Sequence, residues 1–183
     1  MTSIWLVRHG EAAAGFSEDT DPSLSSLGRE QARQSADALR RCVPNNAALL
    51  SSPKRRAVET GESYASRIQA ELEIDSRFVE LPSPGDLAER RQWLDEVLQG
   101  QWSALPEPVQ LWRRGIIAAI DSFTSPTVIF THFLVINAVA AHISGEDGVV
   151  QCLPANASVH ELSVESSGWQ WCARGVMLES VVN

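Results

Sequence analysis

The sequence predicts an α/β fold, in which a mostly parallel central sheet is flanked by helices on both faces. Short apolar runs alternate along the chain with segments of helical periodicity. The segment 126–132 is a strong signal for a central strand, and helical segments lie on both sides of it. The chain of 183 residues is long enough for a substantial core. We therefore expect a single domain over residues 1–183.

The first half of the chain predicts three strands and two helices. The buried face of the first helix consists mostly of small residues, so this helix can pack close to the sheet. In chain order, the predicted elements are a strand at 4–7, a helix from the N-cap Ser25 to Cys42, a strand at 46–52, a helix with Ser52 as N-cap and Pro53 as its first residue, and a short strand within 71–78.

The second half begins with a break at 82–86 and predicts a small helical cap at about 82–125. Trp93 and Trp112 are expected to pack this cap onto the sheet, with a place in a substrate cleft as the alternative. The last two strands can lie within the sheet or form a dimer edge. The predicted elements are helices at 86–99 and 107–123, a strand at 126–132, a helix at 133–144 ending at Gly145, and strands at 157–164 and 168–174.

Composition and charge exclude several classes of protein. The net charge of −8 argues against a nucleic-acid surface, which would need a basic stripe. Three cysteines without CxxC spacing predict neither disulfides nor a zinc site and favour a reducing cytoplasm. We expect no signal peptide, and the apolar run at 128–143 is too short to cross a membrane. The sequence has no glycine-rich nucleotide loop, so no cofactor is expected.

Charged and titratable side chains follow the predicted parallel strands, at the edge where open α/β sheets bind ligands. Arg8 and His9 follow the first strand, and Arg56 stands in the first turn of the second helix. Glu80 follows the third strand, and His132 ends the strand at 126–132. If these strands are neighbours, two arginines, two histidines and a carboxylate meet at one edge. This set predicts phosphoryl transfer through a histidine.

Each residue type suits one part of that reaction. A neutral imidazole can attack phosphorus and form a phosphohistidine. Arginine binds two oxygens of the transferring group at once, and a second histidine adds another donor. A carboxylic acid can protonate the leaving oxygen. Gly10 would let the backbone approach the nucleophile or the phosphate closely.

Six motifs in order resemble those of the histidine phosphatase superfamily, branch 1, also called phosphoglycerate mutase-like. LVRHGE at 6–11 resembles the family's signature strand and nucleophile. SSPKRRAVET at 51–60 resembles the segment that carries the family's second arginine. VIFTH at 128–132 resembles the strand that precedes the family's second histidine. The other matching segments are LSSLGREQA at 24–32, SRFVE at 76–80 and NASVHEL at 156–162.

The resemblance implies a phosphoglycerate mutase-like fold, a chemistry without metal or cofactor, and a role for each candidate residue. His9 would be the phosphorylated nucleophile, and Glu80 the proton donor and later the base for water. The phosphate pocket would consist of Arg8, Gly10, Arg56 and His132, of which His132 would also be catalytic.

Three positions depart from the family's pattern. Ala12 and Gly15 stand where a threonine and an asparagine are common. Phe133 follows the second histidine, where glycine is common. The loop therefore carries fewer polar side chains, and the ring of Phe133 is expected to narrow the site or to select a substrate.

Some titratable residues have competing interpretations. Glu89 or Asp86 on the predicted cap could replace Glu80 as the acid. His142 is interpreted as a structural residue inside a helix. His160 is interpreted as an outward-facing residue of a strand.

The predicted function is a metal-independent phosphatase that hydrolyses a small phosphomonoester through a phosphohistidine. A mutase acting on a phosphoglycerate is disfavoured, because the segment between Glu80 and His132 is short compared with that of family mutases. A phosphohistidine on a partner protein is an alternative substrate. Ala12, Gly15 and Phe133 motivate another alternative, a phospho-ligand binding protein without turnover.

Overall fold

The computed structural model describes residues 1–15, 18–83 and 87–179. It contains a six-stranded sheet made of β1 (Thr2–Arg8), β2 (Ala48–Ser51), β3 (Glu73–Ile74), β4 (Thr127–Thr131), β5 (Val159–Glu165) and β6 (Gly168–Ala173). The strand order across the sheet is β3-β2-β4-β1-β5-β6.

The sheet is parallel on one side and antiparallel on the other. Strands β3, β2, β4 and β1 run parallel, whereas β5 pairs antiparallel with β1, and β6 with β5. This confirms the α/β prediction of a mostly parallel sheet. Because β1, β2 and β4 are neighbours and parallel, their carboxyl ends bring Arg8, Ser52 and His132 to one edge.

Within the described residues, five α-helices accompany the sheet: α1 (Ser26–Cys42), α2 (Arg55–Ile68), α3 (Leu87–Leu98), α4 (Glu107–Asp121) and α5 (Phe133–Ser144). The predicted ends of two helices are confirmed. Ser25 Oγ accepts a hydrogen bond from the Gly28 amide at the start of α1. Gly145 ends α5 in the left-handed conformation, with φ of 74°.

Helix α2 starts later than predicted. Its first residue is Arg55, and Lys54 occupies the N-cap position without a side-chain cap. Ser52, the predicted N-cap, instead lies 2.6 Å through its Oγ from His132 Nε2. The third strand, predicted within 71–78, is only two residues long, and a 3₁₀ turn at Ser76–Phe78 follows it. The side chain of Asp75 accepts a hydrogen bond from the Arg77 amide and so caps this turn.

Helices cover both faces of the sheet, as the alternation of elements predicts. On one face, α1 and α2 pack against alternate side chains of β1 such as Trp5 and Val7. On the other face, α4 and α5 bury Ile4 and Leu6 of the same strand. Alternation of side chains along a strand explains this division.

The segment between β3 and β4 builds one wall of a cleft over the carboxyl edge. Trp112 of α4 donates from Nε1 to the Val79 carbonyl at 3.0 Å, and its ring stacks on the buried ring of Trp102. Trp112 and Trp93 of α3 both pack against the main hydrophobic core, as predicted. Trp93 is half-buried and also lines the cleft, so the alternative interpretation holds for it as well. The predicted break at 82–86 includes 84–86, which lie outside the described residues.

The outward orientation predicted for His160 is wrong. Its side chain is only 1% exposed. The chain after β6 folds back over β5, and the Gly175 amide donates to His160 Nδ1 at 3.2 Å, while Nε2 lies 2.7 Å from Ser158 Oγ. Among the described residues, no helix is long and apolar enough to span a lipid bilayer.

Candidate active site

His9 lies directly after β1, and its two ring nitrogens have different partners. Nδ1 lies 2.7 Å from the Gly10 carbonyl oxygen, which can only accept, so Nδ1 carries the proton. Nε2 accepts a hydrogen bond from Arg56 Nε at 3.1 Å, because a guanidinium can only donate. The lone pair of His9 is therefore on Nε2 and faces Arg56. A neutral imidazole in this tautomer is the form that can act as a nucleophile.

His132 stands at the end of β4, directly before α5, and its ring faces that of His9. The two ring centroids are 5.2 Å apart at an interplanar angle of 60°. His132 is fully buried, and Ser52 Oγ lies 2.6 Å from its Nε2. Its Nδ1 has no hydrogen-bond partner within the described parts of the chain. The second histidine is thus fixed next to the first by a serine from the neighbouring strand end.

Arg8 is held between a carbonyl group and an aromatic ring. One guanidinium nitrogen donates to the Pro154 carbonyl at 2.6 Å. The guanidinium carbon lies 5.3 Å from the centre of the Phe133 ring, which is a cation–π distance. Phe133 therefore contacts a residue of the predicted phosphate pocket and also lines the cleft.

Glu80 is half-buried, and its carboxylate is held by two backbone amides. The Leu81 amide donates to one oxygen at 3.0 Å and the Leu134 amide to the other at 3.3 Å. Both Glu80 and Arg56 line the same cleft. Glu89, the alternative acid, is exposed on α3 and is not among the cleft-lining residues, and Asp86 lies outside the described residues.

Burial and mutual repulsion shift the pKa values of these groups. Burial, followed by the positive charges of Arg56 and Arg8, holds the pKa of His9 well below its ordinary value. Burial also lowers the pKa of His132 and brings that of Arg8 to about 10. Burial raises the pKa of Glu80, although the backbone amides and the arginines oppose this shift. The site thus favours neutral histidines and a carboxyl group that loses its proton at a higher pH than an ordinary glutamic acid.

Gly10 and Gly28 allow the segment that follows His9 to pack closely against the first turn of α1. A Cβ on Gly10 would lie 2.4 Å from the Gly28 carbonyl oxygen, and a Cβ on Gly28 would lie 2.1 Å from the Glu11 carbonyl oxygen. The Gly10 amide donates to Thr60 Oγ1 at 3.1 Å. In this structure Gly10 acts on His9 through its carbonyl group, and its missing side chain serves the contact with α1.

Two residues that support the site, Ser52 and Thr60, are not predicted from the sequence. Thr60 Oγ1 donates to the Arg56 carbonyl at 2.7 Å and so connects Arg56 with Gly10. Ser52 follows β2 at the same edge as the other candidates, which was a usable signal, but it was assigned to a helix cap. Thr60 lies one turn after Arg56 on the buried face of α2, and nothing local marks it.

A cleft of about 610 Å³ opens over this cluster, a volume within the usual range for small-ligand sites. Arg8, His9, Arg56 and Glu80 are among the residues that line it, whereas the fully buried His132 is not. Ala12 also lines it, so the departure at that position exposes a methyl group where a hydroxyl is common. No three His, Cys, Asp or Glu side chains of the described chain come together as a metal site.

Comparison with known proteins gives a family and a fold. A sequence model of the histidine phosphatase superfamily (branch 1) matches residues 4–175. A search of curated proteins found no match. At 16–20% identity, the solved structures below show the fold alone.

The similar structures include a mycobacterial glucosyl-3-phosphoglycerate phosphatase with VO3 (20% identity, TM-score 0.72, covering 96% of this chain and 99% of that chain). A phosphoserine phosphatase from Entamoeba histolytica with 3-phosphoglyceric acid has 16% identity and a TM-score of 0.77, covering 97% of this chain and 98% of that chain. Bacillus stearothermophilus YhfR has 19% identity and a TM-score of 0.72, covering 94% of this chain and 96% of that chain.

Proposed function

The chain belongs to the histidine phosphatase superfamily, branch 1, and on this premise we propose that it is a phosphatase that hydrolyses a phosphomonoester through a phosphohistidine on His9. One observation carries the proposal. The lone pair of His9 is on Nε2, directed at Arg56, in a cleft that Arg8 and Glu80 also line. A nucleophile, cations for the phosphate oxygens and an acid are thus in one place.

In the first step, Arg56 Nε gives up its hydrogen bond to His9 Nε2 and binds a phosphate oxygen instead. The freed Nε2 lone pair bonds to phosphorus while the bond from phosphorus to the leaving oxygen breaks. Glu80 gives its proton to that oxygen, for which its raised pKa prepares it. Arg8, Arg56 and His132 bind the non-bridging oxygens, whose charge must be stabilised during transfer. Nδ1–H of His9 keeps its bond to the Gly10 carbonyl, which stabilises the positive charge that develops on the ring.

In the second step, the Glu80 carboxylate takes a proton from a water molecule, and the water oxygen bonds to phosphorus. The bond from phosphorus to Nε2 breaks, which releases inorganic phosphate and restores neutral His9 and protonated Glu80. No metal takes part in either step, so we propose that activity persists in the presence of a chelator.

The intact cluster favours turnover over binding alone. A binding protein would need the arginines but not a histidine whose tautomer presents a lone pair, nor a carboxyl group with a raised pKa. The similar mycobacterial phosphatase has been solved with VO3 and with inorganic phosphate. We propose that the corresponding end of this cleft binds a phosphoryl group.

The test is release of inorganic phosphate from a panel of phosphomonoesters in the presence of EDTA, with His9→Ala in parallel. Release by the native protein and none by the variant would support the proposal. Release by both proteins would show that His9 is not the nucleophile. Loss of the native activity in EDTA would contradict the metal-independent mechanism.

A further inference from the structure

The cleft is lined by Arg8, His9, Arg56 and Glu80 of the catalytic cluster and also by a surface of apolar side chains from α3, α5 and the last third of the chain. We call this surface the apolar wall, and its members are Trp93, Leu94 and Leu98 of α3, Phe133 at the start of α5, and Leu153 and Leu178 from the last third of the chain.

The apolar wall is built into the core rather than lying loosely on the surface. Trp93, Leu94, Leu98 and Phe133 are each half-buried, and each packs against the main hydrophobic core while still lining the cleft. The backbone holds the remaining pair together, because the Leu178 amide donates to the Leu153 carbonyl at 2.7 Å. A rigid apolar surface that faces a cleft gains free energy when an apolar ligand covers it.

The wall reaches the reaction centre through Phe133. The ring of Phe133 lies 5.3 Å from the guanidinium carbon of Arg8, so the phosphate pocket and the wall share a border. A substrate whose phosphoryl group lies at Arg8 would therefore have its leaving group next to this ring.

Three polar side chains that line the same cleft outside the cluster, those of Asp19, Lys54 and Arg90, already have hydrogen-bond partners within the chain. Lys54 Nζ donates to the Thr20 carbonyl at 3.2 Å, and Arg90 Nε donates to Ser83 Oγ at 2.8 Å. Asp19 accepts a hydrogen bond from the Asp21 amide at 2.9 Å. A leaving group rich in hydroxyl groups would have to compete for these partners.

We propose that the apolar wall binds the leaving group, so that the preferred substrate is a phosphomonoester of an apolar alcohol. This inference rests on the proposed function and specifies its substrate class. Apolar area removed from water on the wall contributes to binding, whereas the phosphoryl group is bound in the same way for every substrate. The apolar wall therefore determines which substrate binds best, whereas the residues of the catalytic cluster carry out the reaction.

The first measurement is kcat/KM for n-alkyl phosphates from ethyl to hexyl, below micelle-forming concentrations. From ethyl onward the acidity of the alcohol hardly changes, so any trend reports binding of the alkyl chain. We expect kcat/KM to rise about two- to fourfold for each added methylene that reaches the wall. Glycerol phosphate and glucose 6-phosphate serve as hydroxyl-rich comparators and should be hydrolysed less efficiently than the hexyl ester.

The second measurement uses Leu94→Asn, which replaces an apolar member of the wall by a polar side chain. The ratio of kcat/KM for hexyl phosphate to that for ethyl phosphate should fall about tenfold in this variant. A ratio within one protein is independent of the fraction that folds. The matched control is Leu111→Asn, because Leu111 is exposed on α4 and is not among the cleft-lining residues. This control should keep the native ratio.

The outcomes separate the inference from the proposed function. A rising series together with a lowered ratio in Leu94→Asn supports the wall as the leaving-group site. Hydrolysis with no dependence on chain length, a preference for the hydroxyl-rich esters, or an unchanged ratio in Leu94→Asn would overturn the inference and leave the phosphatase proposal standing. No release of phosphate from any ester would overturn the proposed function and, with it, this inference.

Discussion

At the scale of residues, the hydrogen-bond partners and the burial of His9 and Glu80 give these two side chains different roles in the reaction. The Gly10 carbonyl fixes the proton of His9 on Nδ1, and Arg56 faces its lone pair on Nε2. Burial raises the pKa of Glu80. The histidine is thus prepared to attack and the carboxyl group to protonate, which is the separation of roles that acid-assisted displacement requires.

The role of Glu80 as the acid predicts a dependence on the leaving group. Glu80→Gln keeps the shape but cannot give up a proton, so turnover of an alkyl phosphate should fall about 10²- to 10⁴-fold. Turnover of p-nitrophenyl phosphate should fall much less in the first step, because nitrophenolate leaves without a proton. Comparison of phosphoenzyme formation from the two esters measures this difference.

Glu89→Gln is the matched control for that experiment, because Glu89 is exposed on α3 and is not among the cleft-lining residues. We expect it to behave as the native protein. The native rate with the alkyl ester should also fall as the pH rises through the raised pKa of Glu80, since the carboxyl group loses its proton there. An equal loss with both esters in Glu80→Gln would contradict the assignment of Glu80 as the acid.

At the scale of elements, the contact between the segment that follows β1 and the start of α1 holds the chain next to the nucleophile. The Gly28 amide is bound by Ser25 Oγ, and the Ser25 hydroxyl donates to a Glu11 carboxylate oxygen at 2.6 Å. The segment after His9 is therefore fastened to the first turn of α1. This contact needs two glycines, because a Cβ on either Gly10 or Gly28 would collide with backbone of the other element.

Gly28→Ala tests this contact. Alanine favours a helix more than glycine does, yet the new methyl group would lie 2.1 Å from the Glu11 carbonyl oxygen. We expect the free energy of unfolding to fall by about 1–3 kcal/mol, as for other overpacked sites. Urea denaturation measures the change.

Gly115→Ala on α4 is the control, because the new Cβ would meet nothing within 4 Å. We expect this substitution to raise the free energy of unfolding by up to about 1 kcal/mol. Equal effects of the two substitutions would contradict the close approach.

The elements also show what the sequence can predict. The N-cap of α1, the end of α5 and the carboxyl-edge cluster follow from local patterns and from the rule for parallel sheets. The start of α2 was misplaced, because Ser52 contacts His132, which is far away in sequence. The contact of His160 with Gly175 is likewise made by a segment that returns late in the chain. Such long-range partners leave no local signal.

At the scale of the whole molecule, the fold keeps three histidines neutral by burial. Burial, with a smaller contribution from Arg174, lowers the pKa of His160 to about 4, and the pKa values of His9 and His132 are also lowered. The unfolded chain binds protons on these rings near the ordinary histidine pKa, whereas the folded chain does not. The free energy of unfolding should therefore fall as the pH drops below that value toward about 4.

His160→Asn isolates one part of this pH dependence. His160 alone should account for a loss of about 1 kcal/mol between about pH 7 and about pH 5.5. Urea denaturation at the two pH values should show that the native protein loses more stability than the variant by this amount. Asparagine can still accept from the Gly175 amide, so the variant keeps one of the two contacts. Equal losses in the two proteins would show that His160 titrates normally in the fold.

The central claim is that His9 carries the phosphoryl group between the two steps. The most direct measurement is to mix the protein with p-nitrophenyl phosphate, stop the reaction in alkali, in which phosphohistidine survives, and locate the added phosphoryl group by mass spectrometry. We predict a phosphoryl group on His9 in the native protein and none in His9→Ala. A phosphoryl group on another residue, or the same labelling in His9→Ala, would contradict the account.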